Sequence, residues 1–192
     1  MAAEHWRGGL DPDLQVVLGP ARSGKSRWAE HLAGRCGLRV VVVATGPTLP
    51  GDEAWQRRLA RHRQRRPADW QTLEVAAPDQ LLPTLQALAV GQVALVDSLG
   101  SWVASALAQD DSHWDGLCQS LLSGLGQLRC SLILVSEQTG WGVVPATAIG
   151  GVFRDRLGLI ERHLVDRAGV SWLVVAGRAL NLTALGQVVP AD

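Results

Sequence analysis

The 192-residue sequence predicts an α/β protein: a mainly parallel sheet flanked by helices. Three observations lead there. Short, β-branched runs that are apolar on both faces recur along the chain, as buried parallel strands do. Segments with apolar residues at steps of three and four alternate with them, which implies crossover connections. One of the runs also leads straight into a glycine-rich turn that opens a helical segment, a strand–loop–helix unit suited to binding phosphate.

Taken in order, residues 1–13 (MAAEHWRGGLDPD) are polar and glycine-rich and read as a flexible N-terminal arm. Residues 14–192 read as one domain, with no repeat or linker. The strand-like runs are Leu14 to Leu18, Val40 to Ala44, Val93 to Val96, Leu132 to Val135 and Trp172 to Ala176. Helical spacing falls near 25–35, 52–65, 79–89, 101–108, 114–128 and 147–167. In the last segment Phe153, Leu157, Ile160, Leu164 and Ala168 form the apolar stripe, and Arg154, Arg156 and Arg162 fall off it. The stretches 46–51 (GPTLPG) and 138–142 (QTGWG) read as loops.

Composition narrows the function. With 47% hydrophobic and 19% charged residues the chain is globular and not disordered. A net charge of zero argues against a general nucleic-acid partner or a polybasic membrane binder. Cys36, Cys118 and Cys130 are scattered, which disfavours a disulfide framework and a zinc site. Neither a signal peptide nor an apolar run long enough to span a bilayer is visible, so a cytoplasmic protein is expected. Of 18 basic residues 17 are arginine, and the single lysine is Lys25.

That lysine sits in Gly19-Pro20-Ala21-Arg22-Ser23-Gly24-Lys25-Ser26, which fits the phosphate-loop pattern G-x-x-x-x-G-K-[ST]. The glycines let backbone N–H groups turn toward phosphate oxygens, and the following helix adds the positive end of its dipole. Lys25 is then expected at the β- and γ-phosphates and Ser26 on Mg²⁺. Asp97 ends the run Val93 to Val96 and is either a second magnesium-holding group or the cap of the 101–108 helix. Glu137, after the fourth run, either orients an attacking hydroxyl near the metal or is a surface acid. Arg154 is either a phosphate ligand or part of a solvated helix face.

Residues 52–66 (DEAWQRRLARHRQRR) crowd six arginines into ten positions around His62, ahead of Pro67. Trp55, Leu59 and His62 share a helix face. The residues alone allow a half-buried structural histidine among solvated arginines, a nucleic-acid patch, or a polyanion pocket with an imidazole poised as base or nucleophile.

Four blocks in order give the chain a wider resemblance: GPARSGKSRWAE, RLARHRQRRPADWQTLE, VDSLGSWVASAL and VSEQTGWGVVPATAIGGVFRDRLG. From about Leu14 to Leu182 the sequence resembles the bifunctional adenosylcobinamide kinase / adenosylcobinamide-phosphate guanylyltransferase family of cobalamin biosynthesis. The resemblance implies a RecA-like P-loop NTPase fold. It implies phosphorylation of the corrinoid adenosylcobinamide by ATP or GTP, then transfer of GMP from GTP through a guanylyl-histidine. It also implies a homo-oligomer, a trimer with its active site between subunits. Carried over by motif, the histidine five residues before the proline is His62, and the neighbouring motif arginine is Arg66. Lys25 and Asp97 join them as catalytic residues, and Glu74, closing the second block, joins residues 19–26 and Asp97 in binding nucleotide. A single-activity small-molecule kinase and a regulatory P-loop NTPase are the alternatives. Against the family's usual pattern Ser98 and Gly100 replace Cys and Thr, Ser105 replaces Asn, Ser136 replaces the Asn before Glu137, and Glu161-Arg162 replaces an Asn-Gln pair. These positions are expected to face the corrinoid, the guanine or a neighbouring subunit.

Overall fold

The computed structural model describes residues 14–46, 51, 56–57, 60, 64–142 and 146–190. Seven strands form one sheet: β1 (Leu14–Gly19), β2 (Arg39–Ala44), β3 (Gln71–Glu74), β4 (Gln92–Asp97), β5 (Ser131–Glu137), β6 (Val170–Val175) and β7 (Arg178–Asn181). Their order is β3-β2-β4-β5-β1-β6-β7. All neighbours are parallel except the terminal pair β6–β7. The helices are α1 (Lys25–Arg35), α2 (Leu81–Gln86), α3 (Leu99–Ser105), α4 (Asp111–Gly124), α5 (Ala148–Val165) and the short α6 (Leu182–Leu185). Strand β5 thus lies between the phosphate-loop strand β1 and the acid-ended strand β4.

The strands are apolar on both faces because both faces are covered. On one face Val16, Val41, Val43, Ala94, Leu132 and Leu134 meet Leu81, Leu85, Trp102, Leu121, Leu157 and Ile160 from α2 to α5. On the other Val17, Val42, Leu95 and Ile133 meet Ala29 and Ala33 of α1. Side chains cap the starts of four helices. Ser98 accepts from Ser101 N–H for α3, Asp110 from His113 N–H for α4, Thr147 from Gly150 N–H for α5 and Asn181 from Ala184 N–H for α6. The cap of α3 is therefore Ser98 and not Asp97, and the helix begins two residues before the expected 101.

Helix α1 spans 25–35 as expected, and the described residues of the 52–65 segment (56, 57, 60, 64 and 65) are helical. The 79–89 segment is shorter, Leu81–Gln86 after a 3₁₀ turn at Pro78–Gln80. The 114–128 segment starts earlier, at Asp111, because Asp110 supplies the cap. Two strands, β3 and β7, have no counterpart among the expected runs. Both are four residues long and lie at the sheet edges, where few residues are buried and the period-2 signal is lost. The expected N-terminal arm, 1–13, lies outside the described residues.

Arg156 departs from the expectation of a polar helix face. It is buried, 8% exposed, and donates to the carbonyls of Ala106 and Gln109 and to Asp111 Oδ1. Its guanidinium also lies over the Trp114 ring, 5.2 Å from the centroid. It thereby ties α5 to the end of α3 and the start of α4. Replacing Arg156 by Ala leaves two carbonyls without that donor. We expect a loss of about 2–3 kcal/mol of unfolding free energy, read by urea denaturation. A loss under about 0.5 kcal/mol would show that the network contributes nothing to stability.

Candidate active site

The carboxyl ends of the parallel strands bring the predicted residues to one edge of the sheet. Register places Gly19 opposite Glu137, Ala44 opposite Asp97, and Ala44 opposite Glu74. Between β1 and α1 the phosphate loop is wedged. A Cβ on Gly19 would stand 2.4 Å from the Val174 carbonyl oxygen and 2.7 Å from Ser23 Oγ, so only glycine fits. Gly24 has φ +101°, a left-handed conformation that glycine adopts without strain. Gly177 N–H donates to the Ser23 carbonyl from one side and Gln138 N–H to the Gly19 carbonyl from the other. Lys25 N–H bonds Ser23 Oγ, and the lysine itself is 5% exposed. The loop is thus held in shape before any phosphate arrives, with Ser26 on the first turn of α1.

Arg66 spans the site. Its Nη2 donates to Asp97 Oδ2 at 2.8 Å, and its Nε to Glu30 Oε1 at 3.3 Å. Arg65 Nη2 reaches the same Glu30 oxygen at 3.2 Å. Four charged side chains from three parts of the chain therefore form one network beside the phosphate loop. Glu74 is exposed at the end of β3, two strands from Asp97 and so about 10 Å away across the sheet. His62, Arg58, Arg61 and Arg63 lie outside the described residues. Of the candidate loops, 138–142 follows β5 directly, and 47–50 also lies outside the described residues. Arg154 pairs with its neighbour Asp155 on the solvated side of α5, as the second of its two readings has it.

Sequence reading left Glu30 without a role and Glu137 undecided. Glu137 is a half-buried acid in the site. Gly100 N–H donates to its Oε2 at 3.0 Å, and a Cβ at position 100 would fall 2.2 Å from that oxygen. Burial pushes its carboxyl above the usual range, and the neighbouring Asp97 adds to the rise. Bonding to Ser98 and the charge of Lys25 hold the rise back. Behind it, Glu161 of α5 is 7% exposed and accepts from Gln138 Nε2 at 2.9 Å. Its Oε1 and the fully buried Ser136 Oγ find no partner of hydrogen-bond geometry. Burial first, and Glu137 next, push Glu161 up to about 7, against the nearby Ser136 hydroxyl and Gln138 amide.

Four of the positions that differ from the family's usual pattern lie close to one another. Ser98 and Gly100 both meet Glu137, and Ser136 and Glu161 meet each other one residue away on β5. They form one polar layer beneath the phosphate loop. The missing side chain at Gly100 makes room for the Glu137 carboxylate.

Among the described residues no three His, Cys, Asp or Glu side chains gather as a metal cage. The hydroxyl of Ser26 and the carboxylate of Asp97 are hard oxygen donors. Such a pair fits Mg²⁺, which takes one or two protein groups and completes its shell with water and phosphate.

A phosphate loop braced on a mainly parallel sheet, with acids at the neighbouring strand ends, defines a P-loop protein. Within that class the chain belongs to the cobinamide kinase / cobinamide phosphate guanyltransferase family, whose sequence profile matches residues 15–182. It is 42% identical over 169 residues to the bifunctional adenosylcobalamin biosynthesis protein CobP of Pseudomonas aeruginosa, covering 87% of this chain and 95% of that one. It is 32% identical over 182 residues to the CobU protein of the same description from Escherichia coli K12, covering 87% and 98%. In fold it resembles the solved structure of PH0250 from Pyrococcus horikoshii, with a TM-score of 0.56 at 9% identity, covering 93% of this chain and 88% of that one.

The raised Glu161 carboxyl predicts a pH effect of known sign. Unfolding returns it from about 7 to its ordinary 4.5, so the unfolded chain releases a proton that the folded chain keeps. Its contribution to stability is full below pH 4.5 and is lost as pH rises toward 7. Relative to Glu161→Gln, which keeps an acceptor for Gln138 and cannot ionise, the wild type should lose about 2–3 kcal/mol between pH 4.5 and 7.5. Urea unfolding of both proteins across that range measures it. A constant difference would show an unshifted carboxyl.

Proposed function

We propose that this chain catalyses both reactions of its family. ATP or GTP phosphorylates the hydroxyl of the aminopropanol arm of adenosylcobinamide, and GMP from GTP is then joined to that phosphate. The observation that carries the reading is the meeting, at one sheet edge, of the phosphate loop with the end of the arginine-histidine segment, through the Arg66–Asp97 contact of 2.8 Å.

In the kinase step the backbone N–H groups of residues 19–26 cradle the β- and γ-phosphates. Lys25, already buried at the mouth of α1, draws charge from them as the bond to the leaving diphosphate lengthens. The acceptor hydroxyl oxygen bonds to the γ-phosphorus, the β–γ bridging bond breaks, and the hydroxyl proton is lost. Ser26 and Asp97 would hold Mg²⁺, which when bound would supply positive charge against the phosphate oxygens. Glu74, at the outer end of the same edge, contributes to binding the nucleotide.

In the transfer step a ring nitrogen of His62 attacks the α-phosphorus of GTP. Pyrophosphate leaves and a phosphoramidate forms on the imidazole. A phosphate oxygen of adenosylcobinamide phosphate then displaces the histidine, giving adenosylcobinamide-GDP. Arg66 and its neighbours neutralise charge as it moves between the phosphates. The reading places the enzyme in the cytoplasm as a homo-oligomer, a trimer by resemblance. Ile149, Val152 and Leu159, apolar and 41–57% exposed on α5, support association.

The test is a trap for the intermediate. Incubated with Mg²⁺ and α-labelled GTP without corrinoid, the protein should release pyrophosphate and carry an acid-labile, base-stable label on the peptide containing His62. His62→Ala should lose the label by at least a hundredfold and keep phosphorylation of adenosylcobinamide. An unlabelled wild type that still phosphorylates adenosylcobinamide would identify a single-activity kinase. Nucleotide hydrolysis alone would identify a regulatory NTPase.

A further inference from the structure

We infer that Glu30 is a positioning residue for guanylyl transfer, a role that rests on the two-step reading above. Glu30 stands five residues after Lys25 on α1, about 7.5 Å further along the helix axis. Its Oε1 accepts from two consecutive arginines, Arg65 Nη2 at 3.2 Å and Arg66 Nε at 3.3 Å. These arginines close the segment that contains His62, immediately ahead of Pro67. The contacts are not solvent-washed surface pairs. The side chains of Glu30 and Arg66 are 12% and 9% exposed, and only Arg65, at 35%, is open to water.

Arg66 divides its planar fork, giving Nε to Glu30 and Nη2 to Asp97. A guanidinium can bind one carboxylate with two parallel N–H groups. With Nε committed to Glu30, Nη2 alone addresses Asp97. Glu30 therefore sets the angle of Arg66. Because it sits on the helix that rises from the phosphate loop, it also fixes the end of the histidine segment relative to the bound phosphates. Without the Glu30 charge, Arg65 loses its partner oxygen and Arg66 is free to swing onto Asp97 as a bidentate pair. That draws Arg66, at the end of the segment, toward β4. A displacement of about 1 Å in such a site costs on the order of a hundredfold in rate. Glu30 itself touches no reacting atom in this account.

The test compares full-length wild type with Glu30→Gln, which keeps shape and loses charge, and Glu30→Asp, which keeps charge on a shorter arm. Three quantities are measured: the single-turnover rate of guanylyl-enzyme formation at saturating GTP, the affinity for a non-hydrolysable GTP analogue, and amide hydrogen exchange of the peptide spanning residues 60–70. Glu30→Gln should form the labelled enzyme ten- to a hundredfold more slowly, bind the analogue within about threefold of wild type, and exchange the 60–70 amides at least threefold faster. Glu30→Asp should recover part of the rate. A Glu30→Gln enzyme that labels at the wild-type rate overturns the inference, even if it melts at a lower temperature. If wild type itself forms no labelled enzyme, the transfer reading fails and the positioning role of Glu30 in it fails with it. Hydrogen exchange then decides the anchoring contact alone, and unchanged exchange in Glu30→Gln overturns that too.

Discussion

The molecule depends on one close approach, that of Gly19 to the Val174 carbonyl. No Cβ fits there, so the chain leaves β1 flush against β6 and turns at once into the phosphate loop. Two backbone bonds lock the turn, one from Gly177 beyond β6 and one from Gln138 beyond β5. The strands on either side of β1 therefore act as jaws on the loop. This makes phosphate binding inexpensive in entropy: the loop is already shaped, and the lysine is already seated at the head of α1. The two unusual backbone angles in and beside the loop, at Arg22 and Gly24, are held by this surrounding frame.

The same strand ends gather negative charge. Asp97, Glu137 and Glu161 come from β4, β5 and α5, and the site balances them with Lys25, Arg66 and the N–H groups at the start of α3. Burial raises the carboxyls of Glu137 and Glu161, and neutral donors such as Ser98, Ser136 and Gln138 temper the rise. A phosphate-binding site gains from such an arrangement, because an uncompensated carboxylate beside it would repel the ligand. Four of the unusual residues of this chain fall around these carboxyls. Ser98, Gly100, Ser136 and Glu161 make sense together, each adjusting the room or the hydrogen bonds available to the two glutamates.

Much of this was legible in the sequence. The phosphate loop, the acid at the end of β4 and the buried strands each depend on local pattern, and local pattern is what a sequence displays. Strands β3 and β7 were not, because an edge strand of four residues buries too little to impose alternation. The burial of Arg156 escapes the sequence for a different reason. Helical spacing places it off the apolar stripe, but the carbonyls that α3 and its following turn leave open come from residues about fifty positions away. Glu30 belongs to the first sequence block, yet nothing local connects it to Arg66. Asp97 also looked like a helix cap, and only the structure shows Ser98 taking that place.

The hairpin of β6 and β7 turns through Ala176 and Gly177, both in the left-handed region, as a tight two-residue connection does. Its Gly177 N–H is one of the two groups that grip the phosphate loop. The loop belongs to the first strand of the sheet and its clamp to the last pair, with Leu14 set against Leu132 and Gln15 against Val170. A chain emerging from the ribosome at about 5–20 residues per second makes the nucleotide cradle early and cannot close it until nearly everything else has been synthesised. Nucleotide affinity therefore reports completion. A chain cut short before β6 lacks not a peripheral ornament but one jaw of the phosphate site, and that jaw is closed by contacts between residues far apart in sequence.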